Sequence, residues 1–261
     1  METGGEAAFF TPDGDGLVPT ADARSPWSTE MLHGRLLSGL AARAVETEIA
    51  HDPLLSVVRL TVDMFRFPPL DRLRVSSQVP RRGRRVVVVD VSFEAGDREV
   101  ARARAVALRS GPHPQGEVWT PEPWDVAGPD ELEPPEGAGS MGGWEIRPVN
   151  PGGFYSSDRK RLWTRDRWPL VAGEELSPVV RAALAADLPN PMANAGAGGL
   201  NFINADLTLS LARHPESEWI GLEVSGHLGR DGVAIGACTM YDSEGAIGWS
   251  SVCAVANEWP S

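Results

Sequence analysis

Leu60-Thr61-Val62-Asp63-Met64-Phe65-Arg66-Phe67-Pro68, running on to Leu73-Arg74-Val75, recurs as Leu207-Thr208-Leu209-Ser210-Leu211-Ala212-Arg213-His214-Pro215, running on to Leu222-Glu223-Val224. Leu60 and Leu207, Thr61 and Thr208, Arg66 and Arg213, and Pro68 and Pro215 are each 147 positions apart. An Ala-rich stretch precedes each copy and further strand-like segments follow it. Solenoids repeat every 20–50 residues or so, so a period this long marks a duplicated globular unit. Two copies of one unit ordinarily pack about a pseudo-two-fold axis, as the subunits of a homodimer do.

Outward from the repeat, each copy reads as one helix followed by an antiparallel meander. In the first, residues 29–46 predict a helix with Thr29 as a candidate N-cap. Apolar and small residues surround most of it, which predicts burial. Strands are predicted over 56–66, 73–78, 85–93 and 99–108, between Pro- or Gly-bearing turns, with an edge strand near 8–11. In the second copy, Ser177 followed by Pro178 starts a helix over 177–187, an N-cap and then Pro at the first helical position. A loop at 190–199 leads to strands over 202–212, 219–227, 233–241 and 246–256.

The small residues Gly39, Ala41, Ala42 and Ala44 allow close approach, so each sheet is expected to curl round its helix, and the two sheets to join edge to edge. Alternation puts Val58, Leu60, Val62 and Met64 on one helix-facing strand surface and Ile203, Leu207, Leu209 and Leu211 on its counterpart. Asn204, Asp206, Thr208 and Ser210 take the opposite face. The stretch between the copies is acidic, rich in Pro and Gly and without periodicity, and reads as an exposed crossover. The expected division is a unit at 1–110, a linker at 111–143 and a unit at 144–261.

The 261 residues are 42% hydrophobic and 23% charged, as in a soluble globular protein. A formal net charge of −12 argues against a nucleic-acid partner, which needs a basic footprint. An anionic ligand is still compatible, because a local basic patch can oppose the global charge. No stretch reaches the roughly 18 apolar residues that span a membrane. The acidic, Gly-rich residues 1–15 lack the features of a signal peptide. Two cysteines, Cys238 and Cys253, are too few for a disulfide framework or structural zinc. A reduced, cytoplasmic location is the expectation. There is no Gly-x-Ser-x-Gly elbow, the glycines at 196–199 precede a strand rather than a helix, and the five histidines lack metal-ligand spacing.

Taken in order, several short motifs make the chain resemble acyl-CoA thioesterases of the thioesterase II type. They are Met31-Leu32-His33-Gly34, Arg59-Leu60-Thr61-Val62-Asp63 with Phe67-Pro68-Pro69, and Gly83-Arg84-Arg85-Val86 in the first half. In the second half they are Leu162-Trp163-Thr164-Arg165, Pro169-Leu170-Val171-Ala172-Gly173-Glu174, Ala185-Ala186-Asp187, Phe202-Ile203-Asn204-Ala205-Asp206, and Tyr241-Asp242 before Gly245. The resemblance implies an α+β double hotdog, two helix-plus-antiparallel-sheet repeats in one chain. It also implies fatty acid metabolism, an acyl-CoA or acyl-carrier thioester as partner, hydrolysis by an activated water and no cofactor. A homo-oligomer of double hotdogs is compatible with it.

In that family an Asp on the second helix holds the attacking water with a Thr and a Gln from strands. The motifs carry the Asp to Asp187 and the Thr position to Asn204, whose amide also binds water. Those two side chains are expected close enough to share a water. The Gln position falls at Cys253, or at Val252 after a one-residue shift, and neither supplies an amide. Cys253→Gln is therefore expected to raise the rate, and the missing amide supports an alternative, a hotdog that binds an acyl thioester or other hydrophobic ligand without hydrolysing it. The bland alternatives are a solvated helix-end charge for Asp187 and a loop-satisfying amide for Asn204. Cys253 has no nearby His to activate it as a nucleophile and reads as a small buried side chain. His33 and Gly34 are candidates for contact with the acyl group, against a plain helix-entry role. Arg82 and Arg84, in the basic turn at 81–85, are candidates for the phosphates of coenzyme A, against a solvated turn. Asp63 and Asp206 read as equivalent structural positions of the repeat.

Overall fold

A computed structural model describes residues 7–26, 28–135 and 143–257. Residues 1–6, the linker stretch 136–142 and residues 258–261 lie outside the described residues. The first half contains β1 (Phe10–Asp13), β2 (Gly16–Pro19), α1 (Arg35–Ile49), β3 (Leu55–Met64), β4 (Leu73–Arg82), β5 (Val86–Ala95) and β6 (Arg98–Arg109). The second contains β7 (Trp144–Pro148), β8 (Arg161–Asp166), α2 (Pro178–Ala185), α3 (Pro189–Asn194), β9 (Phe202–Asn204), β10 (Asp206–Leu211), β11 (Ile220–Arg230), β12 (Val233–Asp242) and β13 (Gly245–Ala256).

Among the described residues these strands form one antiparallel sheet, in the order β1-β2-β4-β5-β6-β3-β10-β13-β12-β11-β8-β7, with β9 continuing along β13. The order is the same read from either end once the copies are exchanged. At the centre β3 and β10 pair with Thr61 opposite Thr208, and the two hydroxyls are 3.1 Å apart. Residues 147 apart in the chain face each other only at the axis itself, so the pseudo-dyad passes through this threonine pair. The expected edge-to-edge join is present.

Helices α1 and α2 pack against each other and against the sheet. Ala182, Ala183 and Ala186 are fully buried. A Cβ on Gly39 would come within 2.8 Å of Leu184 Cδ2, so α1 reaches α2 only because position 39 has no side chain. Ser177 caps α2 as expected, accepting the Val180 N–H at 3.1 Å. The halves are further joined by a buried bidentate pair, with Arg35 donating to both oxygens of Asp166 at 2.8 and 2.9 Å.

The structure corrects several expectations. Thr29 lies in a short strand, Ser28–Leu32, and α1 starts at Arg35 without a side-chain cap. A bulge between Val57 and Arg59 shifts the phase of β3, so Leu55, Val57, Leu60 and Val62 are the buried set and Val58 is not. The strand expected over 202–212 breaks at Ala205, whose N–H goes to the Cys253 carbonyl. Residues 190–199 begin with the turn of α3 rather than a loop. Asp63 and Asp206 are not repeat equivalents but partners facing across the central junction. The described linker residues are largely exposed, as expected, but the segment is anchored: Trp124 stacks on Tyr241 at 4.2 Å and covers Gly221, where a Cβ would meet its ring at 2.3 Å. No helix among the described residues is long and apolar enough to cross a membrane.

Candidate active site

The break at Ala205 builds the site. Asn204 pairs with Ala254, whereas Thr208 pairs with Ser251, so one extra residue separates the two registers. A one-residue slip turns side chains to the other face of a sheet. Asn204 thus faces inward with buried Ala254, while Asp206 faces outward and accepts the Cys253 N–H at 2.6 Å. Inward, the Asn204 amide donates to Asp187 Oδ1 at 2.8 Å. The expected proximity is met by direct contact.

Asp187 follows α2, where the chain turns into the Pro-bearing α3. Its carboxylate opens on a cavity of about 470 Å³ that Asn204, His33 and Gly34 also line. Met31, Met64, Phe65, Phe67, Phe202 and Ile203 make the rest of its wall largely apolar. Gly34 keeps the approach open: a Cβ there would lie 3.3 Å from Met64 Sδ and 3.8 Å from Asp187 Oδ2. Burial raises the Asp187 carboxyl above its ordinary value, against the Asn204 hydrogen bond and the Arg35 charge, which lower it. The same burial, with Arg35 nearby, pushes His33 down to about 3, so its ring is neutral. That ring packs edge-on against Trp144 at 5.8 Å.

The other expected residues do not join them. Cys253 is exposed and lies on the outer face beside Asp206, because its neighbours Val252 and Ala254 take the inner positions. Val252 faces inward but is an apolar, fully buried side chain. Arg82 reaches the C-terminal end of α1, contacting His51 Nε2 at 3.0 Å and the Glu48 carbonyl at 3.3 Å. His33 and Gly34 precede the opposite end of that helix, about 22 Å away at 1.5 Å per residue. Arg84 lines a separate surface depression with Arg85 and Arg109. A larger cavity of about 840 Å³ runs along β7 and the loop after it, and none of the expected site residues lines it.

Sequence reading missed Asn190, Asn194 and Arg35. Asn190 and Asn194 are buried, and Asn190 donates to Asn204 Oδ1 at 3.2 Å. Their four-residue spacing was the available signal, obscured by Pro189 and Pro191, which argue for a loop.

Comparison with known proteins agrees with this architecture. Residues 118–251 match the family model of the acyl-CoA thioesterase C-terminal domain, and residues 23–108 that of the N-terminal domain. No curated protein matches the chain in sequence. Among solved structures, a tesB protein of Mycobacterium avium subspecies paratuberculosis is 14% identical with a TM-score of 0.69, covering 95% of this chain and 96% of that one. The acyl-CoA thioesterase II TesB2 of Mycobacterium marinum is 18% identical at 0.62, covering 87% and 91%. A hot dog fold protein of unknown function from Alicyclobacillus acidocaldarius is 15% identical at 0.71, covering 98% of each chain. The fold is a double hotdog.

Proposed function

This chain belongs to the acyl-CoA thioesterase family, and from that premise we propose that it hydrolyses an acyl thioester with Asp187 as general base. The observation that carries the proposal is the buried carboxylate of Asp187, held by Asn204 at 2.8 Å, at the polar end of an otherwise apolar cavity. The acyl group lies along the apolar wall. A water held by the Asp187 carboxylate, itself fixed by Asn204, attacks the carbonyl carbon, and Asp187 takes its proton. The carbon–sulfur bond then breaks, the acid is released, and the sulfur takes the proton Asp187 held and leaves as the thiol, which restores the carboxylate. At the start of α1 the Leu36 and Leu37 N–H groups are taken by the His33 and Gly34 carbonyls at 3.0 Å, which leaves the N–H groups of Gly34 and Arg35 to lead the helix where Gly34 lines the cavity. They, with the positive end of the helix, receive the developing oxyanion.

The finer assignments rest on the same reading: an acyl-CoA or acyl-carrier substrate, fatty acid metabolism and a cytoplasmic site of action. A non-hydrolytic binder is favoured by one observation, the absence of a third polar side chain at Val252 or Cys253. Thiol release from a panel of acyl-CoAs, beside Asp187→Asn, separates the two. Hydrolysis reduced about 100-fold or more by the substitution supports the general base. Acyl-CoA that binds to a folded wild-type chain without turnover favours the binder.

A further inference from the structure

Asn204 is the last of four side-chain donors running in one direction. His227 Nδ1 meets Asn194 Oδ1 at 2.8 Å. Asn194 Nδ2 donates to Asn190 Oδ1 at 3.0 Å, Asn190 Nδ2 to Asn204 Oδ1 at 3.2 Å, and Asn204 Nδ2 to Asp187 Oδ1 at 2.8 Å. The asparagines at 190 and 194 are buried on one side of α3, while His227, on β11, is exposed. The chain thus runs from solvent to the buried carboxylate.

Its ends dictate its direction, together with two backbone carbonyls: Asn190 Nδ2 also donates to the Phe202 carbonyl at 3.2 Å and Asn204 Nδ2 to the Asp206 carbonyl at 3.4 Å. An ionised carboxylate only accepts, so Asn204 must turn its NH2 to Asp187 and leave its oxygen for Asn190. Asn190 must then donate to Asn204 and accept from Asn194, whose own oxygen needs a hydrogen on His227 Nδ1. One reversed amide would set Asn204 Oδ1 against Asp187 Oδ1, two acceptors at hydrogen-bond distance. Aligned amide dipoles polarise one another, so the last N–H is a stronger donor than an isolated one.

Resting on the thioesterase reading above, we propose that Asn190, Asn194 and His227 are positioning residues that lock the Asn204 amide with its N–H on Asp187. None of the three hydrogen-bonds to the Asp187 carboxylate; Asn190 meets Asp187 only through its backbone N–H, which donates to the Asp187 carbonyl at 3.4 Å. Asn194 and His227 also stand outside the cavity lining. The charged and titratable groups facing the carboxylate from neighbouring elements are Arg35 with its partner Asp166, His33, and Arg66 on the cavity wall. None of them belongs to the chain of amides, so cutting it leaves them in place.

The test is Asn194→Leu, which removes one link at a residue remote from the cavity. Asn194→Ser, smaller and less disruptive, serves if the leucine variant does not fold. Two readouts are taken: the kcat–pH profile on an acyl-CoA that the wild type hydrolyses, and the Asp187 carboxyl titration without substrate. The titration is followed by infrared difference spectroscopy, with Asp187→Asn identifying the band. The expected result is a titration midpoint higher by about half to one pH unit, a matching shift of the acid limb, and kcat about tenfold lower near that limb, one pH unit being a tenfold change in protonation equilibrium. KM stays within about twofold. His227→Gln, which retains an N–H donor, is expected to stay near wild type. Midpoint and kcat unchanged in a folded Asn194 variant, with only thermal stability lost, would overturn the proposal. A shifted midpoint in a protein that hydrolyses nothing would uphold the positioning role and sink the thioesterase reading. Asp187-dependent hydrolysis with no shift would do the reverse.

Discussion

At Asp187, the proposed general-base role and stability oppose each other. Burial raises its pKa, so the folded chain keeps a proton that the unfolded chain has already lost. Stability therefore falls as pH rises from the ordinary aspartate value of about 3.9 through the raised one, and the cost persists above it. Asp187→Asn is expected to raise Tm at pH 8 by more than near pH 4, as thermal unfolding at the two pH values would register. The rate should move the other way, rising with pH as the carboxyl ionises, with the acid limb displaced upward from the ordinary aspartate range. Gly34→Val should close the approach to Asp187 Oδ2, lowering thiol release with little loss of Tm. Cys253→Gln should leave the rate unchanged, since position 253 faces away from the cavity, and parallel rate measurements decide it. Asp187 and Asn204 were reached only through the family resemblance, on Ala185-Ala186-Asp187 and Asn204-Ala205-Asp206, and the structure brings the two side chains within 2.8 Å. The inward turn of Asn204 was not legible, because a one-residue bulge leaves no mark on an alternating pattern. The same blindness put Cys253 on the wrong face.

Among the elements, the meanders were legible because alternation and Gly- or Pro-bearing turns mark strands locally. The start of α1 was not. Apolar residues at 31 and 32 fit helical spacing as well as the short strand they form, and only tertiary pairing separates the two. Close approach of α1 to α2 at Gly39 makes that position intolerant: Gly39→Val should cost about 1–3 kcal/mol by overpacking against Leu184 and Leu170. Ser177→Ala, which removes the α2 cap, should cost about 1 kcal/mol. Urea unfolding of both variants, with unchanged m-values, would measure these differences.

For the whole molecule, the proposed site has no second copy among the described residues. The repeat equivalents of Asp187 and Asn204 are Leu40 and Val57, 147 positions earlier, and both are buried apolar core. The half that lacks the carboxylate supplies the helix start, Gly34 and much of the apolar wall, so the one cavity is lined by both halves. Arg35 joins the halves through Asp166 inside the core. Arg35→Ala should cost about 3–5 kcal/mol by leaving a buried carboxylate unpaired, and Asp166→Leu added to it should recover part of the lost Tm. The central claim is a single water attack directed by Asp187, and a single turnover in H2¹⁸O, with protein in excess over acyl-CoA, tests it most directly. The predicted result is one ¹⁸O atom in the acid released in that first turnover, and none in the peptide that carries Asp187. Unlabelled acid, with ¹⁸O on Asp187, would show a covalent acyl-aspartate and contradict the account.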